Sequence, residues 1–236
     1  MMLNLDTMKE VKIRLLESTD DPLFWATCEL YVESFPRDER GPLAHFAATI
    51  SDGSGDDKSR THVAVAEVDG ELAGFRYFSY HPVAGLGFFV FLAVDERFRK
   101  QGIGTALLEF GREICLRDAH EMGGELDAII FECERPELSA TPAEMDFREN
   151  RLRYFANRGG ILLSKDHVQP ALGAGRSPVP LYLFCYDISK KRSHEEILIS
   201  TYRHLYGHAP ESEYELSALV SFRGLWPSGV ASRWEG

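Results

Sequence analysis

Apolar and polar residues alternate over residues 11–17, with Val11, Ile13 and Leu15 set against Lys12 and Arg14. That is the period of a half-buried strand. Asp20 or Asp21 then offers an N-cap for a helix with Pro22 in its first turn. Its apolar face is read as Phe24, Cys28, Tyr31 and Val32, and Phe35-Pro36 ends it. A second helix is predicted over 42–50, followed by a solvated Gly/Asp/Ser-rich loop over 51–59. Residues 62–68 and 71–80 read as a hairpin around Asp69-Gly70, a dipeptide that tolerates positive φ. A turn over 82–87 leads into an apolar strand at 88–94.

Beyond that strand, Ile103, Leu107, Phe110 and Ile114 recur at helical spacing. A strand is predicted over 126–133, and the intervening helix makes it parallel to 88–94. Residues 144–157 read as a helix stopped by Gly159-Gly160. Two further apolar stretches, 161–163 and 181–188, flank a Pro/Gly-rich connection. The order β-α-α-β-β-β-α-β-α-β-β predicts an α/β fold without internal repeats. Past it, Ser193 with Glu195-Glu196 caps a helix carrying Ile197, Tyr202, Leu205 and Tyr206, and Trp226 and Trp234 argue for a packed tail. The chain is therefore divided into a domain at 9–190 and a C-terminal helical extension at 191–236. The extension is expected to dock on the domain, to contact a second copy in a homodimer, or to cover a binding site.

The 236 residues, 44% of them hydrophobic, suffice for one large core. The net charge of −11 is spread along the chain, which argues against nucleic acid and suits a cationic amine as well as an ordinary enzyme. No apolar run approaches a membrane span, and residues 1–12 lack a signal peptide's basic and apolar regions. A cytoplasmic protein without a membrane partner is expected. Cys28, Cys115, Cys133 and Cys185 lie in apolar segments without C-x-x-C spacing and are expected to be buried thiols.

The candidate chemistry begins between the strand at 88–94 and the helix that follows. Arg99-Lys100-Gln101-Gly102-Ile103-Gly104-Thr105 hands the strand to the helix through two glycines. Helix N-terminal N–H groups lack intrahelical acceptors, and together with the helix dipole they attract anions. Gly102 and Gly104 remove Cβ atoms where a diphosphate would approach the main chain. No Lys-Ser or Lys-Thr follows as in a P-loop, and the spacing is not G-x-G-x-x-G.

Leu92-Ala93-Val94 followed by Arg99-x-x-Gly102-x-Gly104 resembles the coenzyme A loop of the GNAT superfamily of N-acyltransferases. Ala73-Gly74-Phe75 and the helix ending at Gly159 are secondary matches, and the resemblance spans about residues 11–188. It implies a mixed, largely antiparallel central sheet with a splayed parallel central strand pair and helices on both faces. It further implies acetyl-CoA as cosubstrate, without a metal, held by Leu92, Ala93, Val94, Arg99, Lys100, Gln101, Gly102, Ile103, Gly104, Thr105, Asn150 and Phe155. Many members carry a tyrosine where this chain has Phe155, and there it can protonate the departing thiolate. Tyr154, about 100° away around the helix, does not simply replace it.

Transfer to an amine calls for a base, because the ammonium must lose a proton first. Glu132 and Glu134 share one strand face and are the catalytic candidates. Pairing with Arg135, Arg151 or Arg153 is the plainer reading of each, and His81, His120, His167 and Tyr80 stand as alternatives. The resemblance places the acceptor beside the segment after the first helix, where Phe35, Asp38, Glu39 and Arg40 fall. Phe35, Glu39 and Arg40 are the acceptor-binding candidates, a carboxylate orienting an ammonium beside an aromatic face. The reaction expected is direct attack of a small-molecule or peptide amine on acetyl-CoA in a ternary complex. The alternative is a CoA-binding module without catalysis.

Overall fold

The computed structural model describes residues 10–51, 55–56, 59–172 and 175–206. In chain order it contains β1 (Val11–Leu15), α1 (Phe24–Ser34), α2 (Leu43–Ser51), β2 (Gly55–Asp56), β3 (Ser59–Val68), β4 (Glu71–His81) and β5 (Leu86–Val94). There follow α3 (Ile103–Glu121), β6 (Ala128–Glu134), α4 (Pro142–Ala156), β7 (Ile161–Ser164), β8 (Val168–Gln169), β9 (Val179–Asp187) and α5 (His194–His204). The main sheet runs β1-β3-β4-β5-β6-β9-β7, with β2 on β3 and β8 on β9. Every pairing is antiparallel except β5 with β6, which α3 connects by a crossover.

Side-chain alternation divides the core among the helices. Ile129 and Phe131 of β6 join Ile103 and Leu107 of α3 and Phe155 of α4 on one face. On the other face, Phe24, Cys28 and Tyr31 of α1 and Phe46 of α2 cover β3, β4 and the end of β5. Ile197 and Leu198 of α5 cover Leu86, Ala128, Ile130 and Leu183. Helix α5 is thus docked on the sheet, as the first of the three readings has it. Its start carries the capping box expected from Ser193, reciprocated by Glu196.

Several local expectations are corrected. Helix α1 begins at Phe24 with Leu23 at its N-cap and no capping side chain. Asp21 instead accepts the Leu23 N–H at 2.9 Å while pairing with Arg14. Val32 is exposed, because the buried positions of α1 are Phe24, Thr27, Cys28 and Tyr31. Helix α4 starts at Pro142, two residues earlier than 144, because Thr141 accepts the Glu144 N–H and Pro142 occupies the first turn. β2 and β8 add two short strands. All four cysteines are buried and free. Trp226 and Trp234 lie outside the described residues. No helix among the described residues is long and apolar enough to cross a membrane.

Two irregularities at the centre of the sheet shape the site. Tyr77 pairs with Phe91 and Phe78 with Phe89, so Val90 is an extra residue and forms a β-bulge in β5. The bulge reverses the facing of the strand: Phe89 joins the core under α3, whereas Phe91 and Ala93 join the core under α1 and α2. The β5–β6 ladder also stops at Phe89 opposite Phe131, although the strands continue to Val94 and Glu134. The two strands therefore splay.

Candidate active site

At the open end of the splay, β5 hands over to α3. Gly102 is the N-cap of α3 at φ 82°, without a side-chain cap, so no side chain takes the first N–H groups of the helix. Lys100 also adopts a positive φ, 63°. For a residue with a Cβ this costs about 1–3 kcal/mol, the kind of strain that collects at ligand clamps. A Cβ on Gly104 would meet only the Tyr154 hydroxyl and Val94 Cγ2, both at 3.7 Å, so the internal packing of the protein has room for it.

Positive charge surrounds this helix start. Arg97 is taken up by Asp95 and Glu71. Arg99 and Lys100 are exposed and have no ion pair among the described residues, and Arg99 Nε donates to the Val94 carbonyl at 3.2 Å. Arg158 was not among the sequence candidates. Its Nη2 donates to Thr105 Oγ1 at 2.9 Å, and its guanidinium lies 3.8 Å over the Tyr154 ring. A cation just before the Gly159-Gly160 helix stop was its only sequence signal. Gln101 is exposed, and Ile103 is buried in the core under α3.

Leu92, Ala93 and Val94 pair with β4 on one side and lie beyond the β6 ladder on the other. Buried N–H and C=O groups at such a position need partners from elsewhere. Phe155 is buried 4.8 Å from Phe131 at the base of the splay. The Tyr154 hydroxyl meets Thr105 Oγ1 at 3.2 Å, so it belongs to the helix start and not to the place of a residue-155 tyrosine. Asn150 is exposed on α4 and accepts from Arg153 at 2.9 Å.

Through the sheet, on the face of α1 and α2, lies a cavity of about 330 Å³. Tyr31, Pro42 and Phe46 form one wall, Val90 and Phe91 the floor, and Gln169, Pro170 and Leu172 another wall. Leu205 and Tyr206, just past α5, complete it. Glu132, one residue beyond the last β5–β6 pair, also lines it.

The two sequence candidates on β6 have different surroundings. Glu132 Oε1 lies 2.6 Å from His167 Nε2 and accepts from the Tyr206 hydroxyl at 2.9 Å, and His167 Nδ1 lies 2.9 Å from the Tyr202 hydroxyl. Both bonds fall on Oε1, so Oε2 has no protein donor among the described residues. Burial and the Glu132 charge push the Tyr206 phenol well above its usual pKa of 10, so it stays protonated and donates. Glu134 pairs instead with Arg151 and with Arg148.

Of the acceptor candidates, Phe35 packs 4.7 Å from Phe91 in the core, and its carbonyl accepts from Arg40 Nε at 3.2 Å. Glu39 lies within the electrostatic reach of Glu132 and Glu134. Burial pushes its carboxyl up to about 7, the Glu134 and Glu132 charges adding to the shift and Arg151 and Arg148 opposing it. Among the described residues, no group of His, Cys, Asp and Glu could hold a metal ion.

The model of the acetyltransferase (GNAT) family matches residues 23–136, from the start of α1 to just beyond β6. A Bacteroides thetaiotaomicron structure assigned to the GNAT acetyltransferases is 23% identical, with a TM-score of 0.59, covering 84% of this chain and 99% of that one. A GNAT-family acetyltransferase structure from Streptococcus pneumoniae is 15% identical, with a TM-score of 0.51, covering 76% and 100%. At these identities the two structures speak for the fold. No curated protein matches the chain in sequence.

Proposed function

From a chain that belongs to the acetyltransferase (GNAT) family, we infer a protein that moves an acetyl group from acetyl-CoA to a primary amine by direct attack in a ternary complex. The observation that carries this reading is the sheet splay, which has an uncapped helix start at its open end and a carboxylate-bearing cavity on its far face.

The residues present fit the cosubstrate. The N–H groups of Gln101 to Thr105 are suited to a diphosphate, with Arg99, Lys100 and Arg158 supplying positive charge. Leu92, Ala93 and Val94 offer backbone groups to the amides of the pantetheine arm. Phe155, buried at the base of the splay, supplies an apolar surface for the arm. When bound, acetyl-CoA would supply a thioester whose carbonyl carbon bonds to the deprotonated amine nitrogen as the carbon–sulfur bond breaks, the coenzyme leaving as a thiolate and the nitrogen's second proton passing to that sulfur or to solvent.

Glu132 is assigned to the amine. Its free Oε2 would receive the ammonium proton, while His167 and Tyr206 hold Oε1 and fix the carboxylate. Glu134 is assigned to holding Arg148 and Arg151 in place. Direct transfer is favoured over an acyl-enzyme because burial pushes Cys133 and Cys185 up to about 12 and raises Cys28 and Cys115 as well. None supplies a thiolate at neutral pH.

Glu39 gives this reading a pH signature. Its carboxyl is neutral below about 7 and charged above, so as pH rises a negative charge is added beside the cavity, outside its lining but within reach of Glu132. The KM for the amine falls by about threefold more in the unmodified protein than in Glu39→Gln as pH passes through 7, while the KM for acetyl-CoA stays level. The amine's own titration cancels in that comparison. Parallel changes for both substrates would make Glu39 structural. The reading as a whole is tested by steady-state release of coenzyme A, which is expected to depend on added amine; release insensitive to every amine offered would leave the non-catalytic alternative.

A further inference from the structure

The aromatic cavity over Glu132 also specifies the chemistry of the acceptor, given the acetyl-transfer reading. Six rings line it: Tyr31, Phe46, Tyr77, Phe88, Phe91 and Tyr206. Four of them form a connected set, with Tyr31 stacked on Phe46 at 4.5 Å, Phe46 on Tyr77 at 5.7 Å, and Phe91 edge-on to both Tyr31 and Tyr77. Phe88 meets Tyr206 at 5.9 Å. The three phenol groups have partners within the protein: Tyr31 donates to the Gly41 carbonyl at 3.2 Å, Tyr77 meets Thr49 at 3.2 Å, and Tyr206 donates to Glu132. What these residues have left to offer a ligand is ring surface.

The polar atoms left over are acceptors. Glu132 Oε2 has no protein donor, and the buried Gln169 Oε1 has no hydrogen-bond partner among the described residues. An unmatched buried acceptor asks for an N–H donor. Arginine, lysine and histidine are absent from the described lining. The cavity therefore has the Glu132 carboxylate for an ammonium, aromatic faces for a flat apolar body, and nothing to neutralise an anion.

We propose that the acceptor is a small monoamine carrying an aromatic or similarly flat apolar group and no carboxylate, seated among these rings with its ammonium on Glu132. Free amino acids are rejected because their carboxylate would be desolvated without a partner. Polyamines and aminoglycosides are rejected because their further ammonium or hydroxyl groups would be desolvated with no second carboxylate in the described lining to take them. The cavity, about 330 Å³, lies near the small end of the roughly 300–1,000 Å³ span of ligand pockets.

A matched pair of ligands isolates the claim: 2-phenylethylamine and phenylalanine share a ring and an amine and differ by the carboxylate. Binding of each, and of spermidine, is measured by calorimetry on the protein saturated with coenzyme A, and transfer is measured with acetyl-CoA. The expected result is a preference for 2-phenylethylamine of about a hundredfold or more over phenylalanine, with spermidine equally disfavoured. Comparable or better affinity for phenylalanine or spermidine overturns the proposal even if transfer occurs. Failure of 2-phenylethylamine to bind, while acetyl-CoA binds, also overturns it. Selective binding of 2-phenylethylamine without transfer sustains the acceptor class and counts against the acetyl-transfer reading alone.

Discussion

Gly104→Val is expected to weaken acetyl-CoA binding by about a hundredfold or more while leaving the thermal midpoint of unfolding nearly unchanged. The two halves of this expectation have separate physical grounds. Within the protein, the atoms nearest a Cβ at residue 104 are 3.7 Å away, an ordinary contact, and Gly104 lies in the first turn of α3 without the positive φ that Gly102 requires. Toward a ligand, branched methyl groups would stand over the N–H groups offered to a diphosphate, and each hydrogen bond lost there is charge-assisted. Gly102→Val is a poorer probe because φ 82° strains any side chain, so binding and folding would change together. Calorimetry with acetyl-CoA on the folded Gly104→Val protein decides the matter. Unchanged affinity would place the diphosphate elsewhere.

Replacing Glu132 by Gln is expected to lower kcat by about a hundredfold to ten-thousandfold, the usual worth of a positioned base. The amide keeps the shape and still accepts from Tyr206, but it has little affinity for a proton. Glu134→Gln is expected to cost much less than Glu132→Gln, because its effect passes through Arg148 and Arg151. His167 adds a control: His167→Asn removes the imidazole 2.6 Å from Glu132 Oε1 and loosens the carboxylate without deleting it. An intermediate loss of kcat with a shifted pH–rate profile is expected. Equal rates for the Glu132→Gln variant and the unmodified protein would remove Glu132 from the chemistry.

The helix start at Gly102, the parallel β5–β6 pair and the buried cysteines were legible in sequence because each depends on neighbours a few residues away or on simple periodicity. The Val90 bulge was not legible. It sits in the all-apolar run Phe88-Phe89-Val90-Phe91-Leu92-Ala93-Val94, where no polar residue marks the change of face. The start of α4 had a readable signal in Thr141-Pro142-Ala143-Glu144, a capping threonine followed by proline in the first turn.

The surroundings of the candidate base were beyond sequence for another reason. Glu132 and Glu134 look alike as alternate residues of one strand, yet their partners come from different distances along the chain. His167 arrives through the turn between β7 and β8, Tyr206 arrives after α5, and Arg148 and Arg151 arrive on α4. Sequence parity put both carboxylates on one face, and only tertiary structure separated their partners. The same holds for Glu39, whose raised affinity for a proton comes from burial and from charges some ninety residues away along the chain.

The most direct test of acetyl transfer in a ternary complex is a single turnover with acetyl-labelled acetyl-CoA and excess amine, quenched over time and followed by the mass of both amine and protein. The expected result is label passing to the amine nitrogen with no acetylated protein at any time, in keeping with four buried cysteines of raised pKa. An acetylated protein species that forms and decays at the rate of product formation, or label that stays on acetyl-CoA with every amine tried, would contradict it.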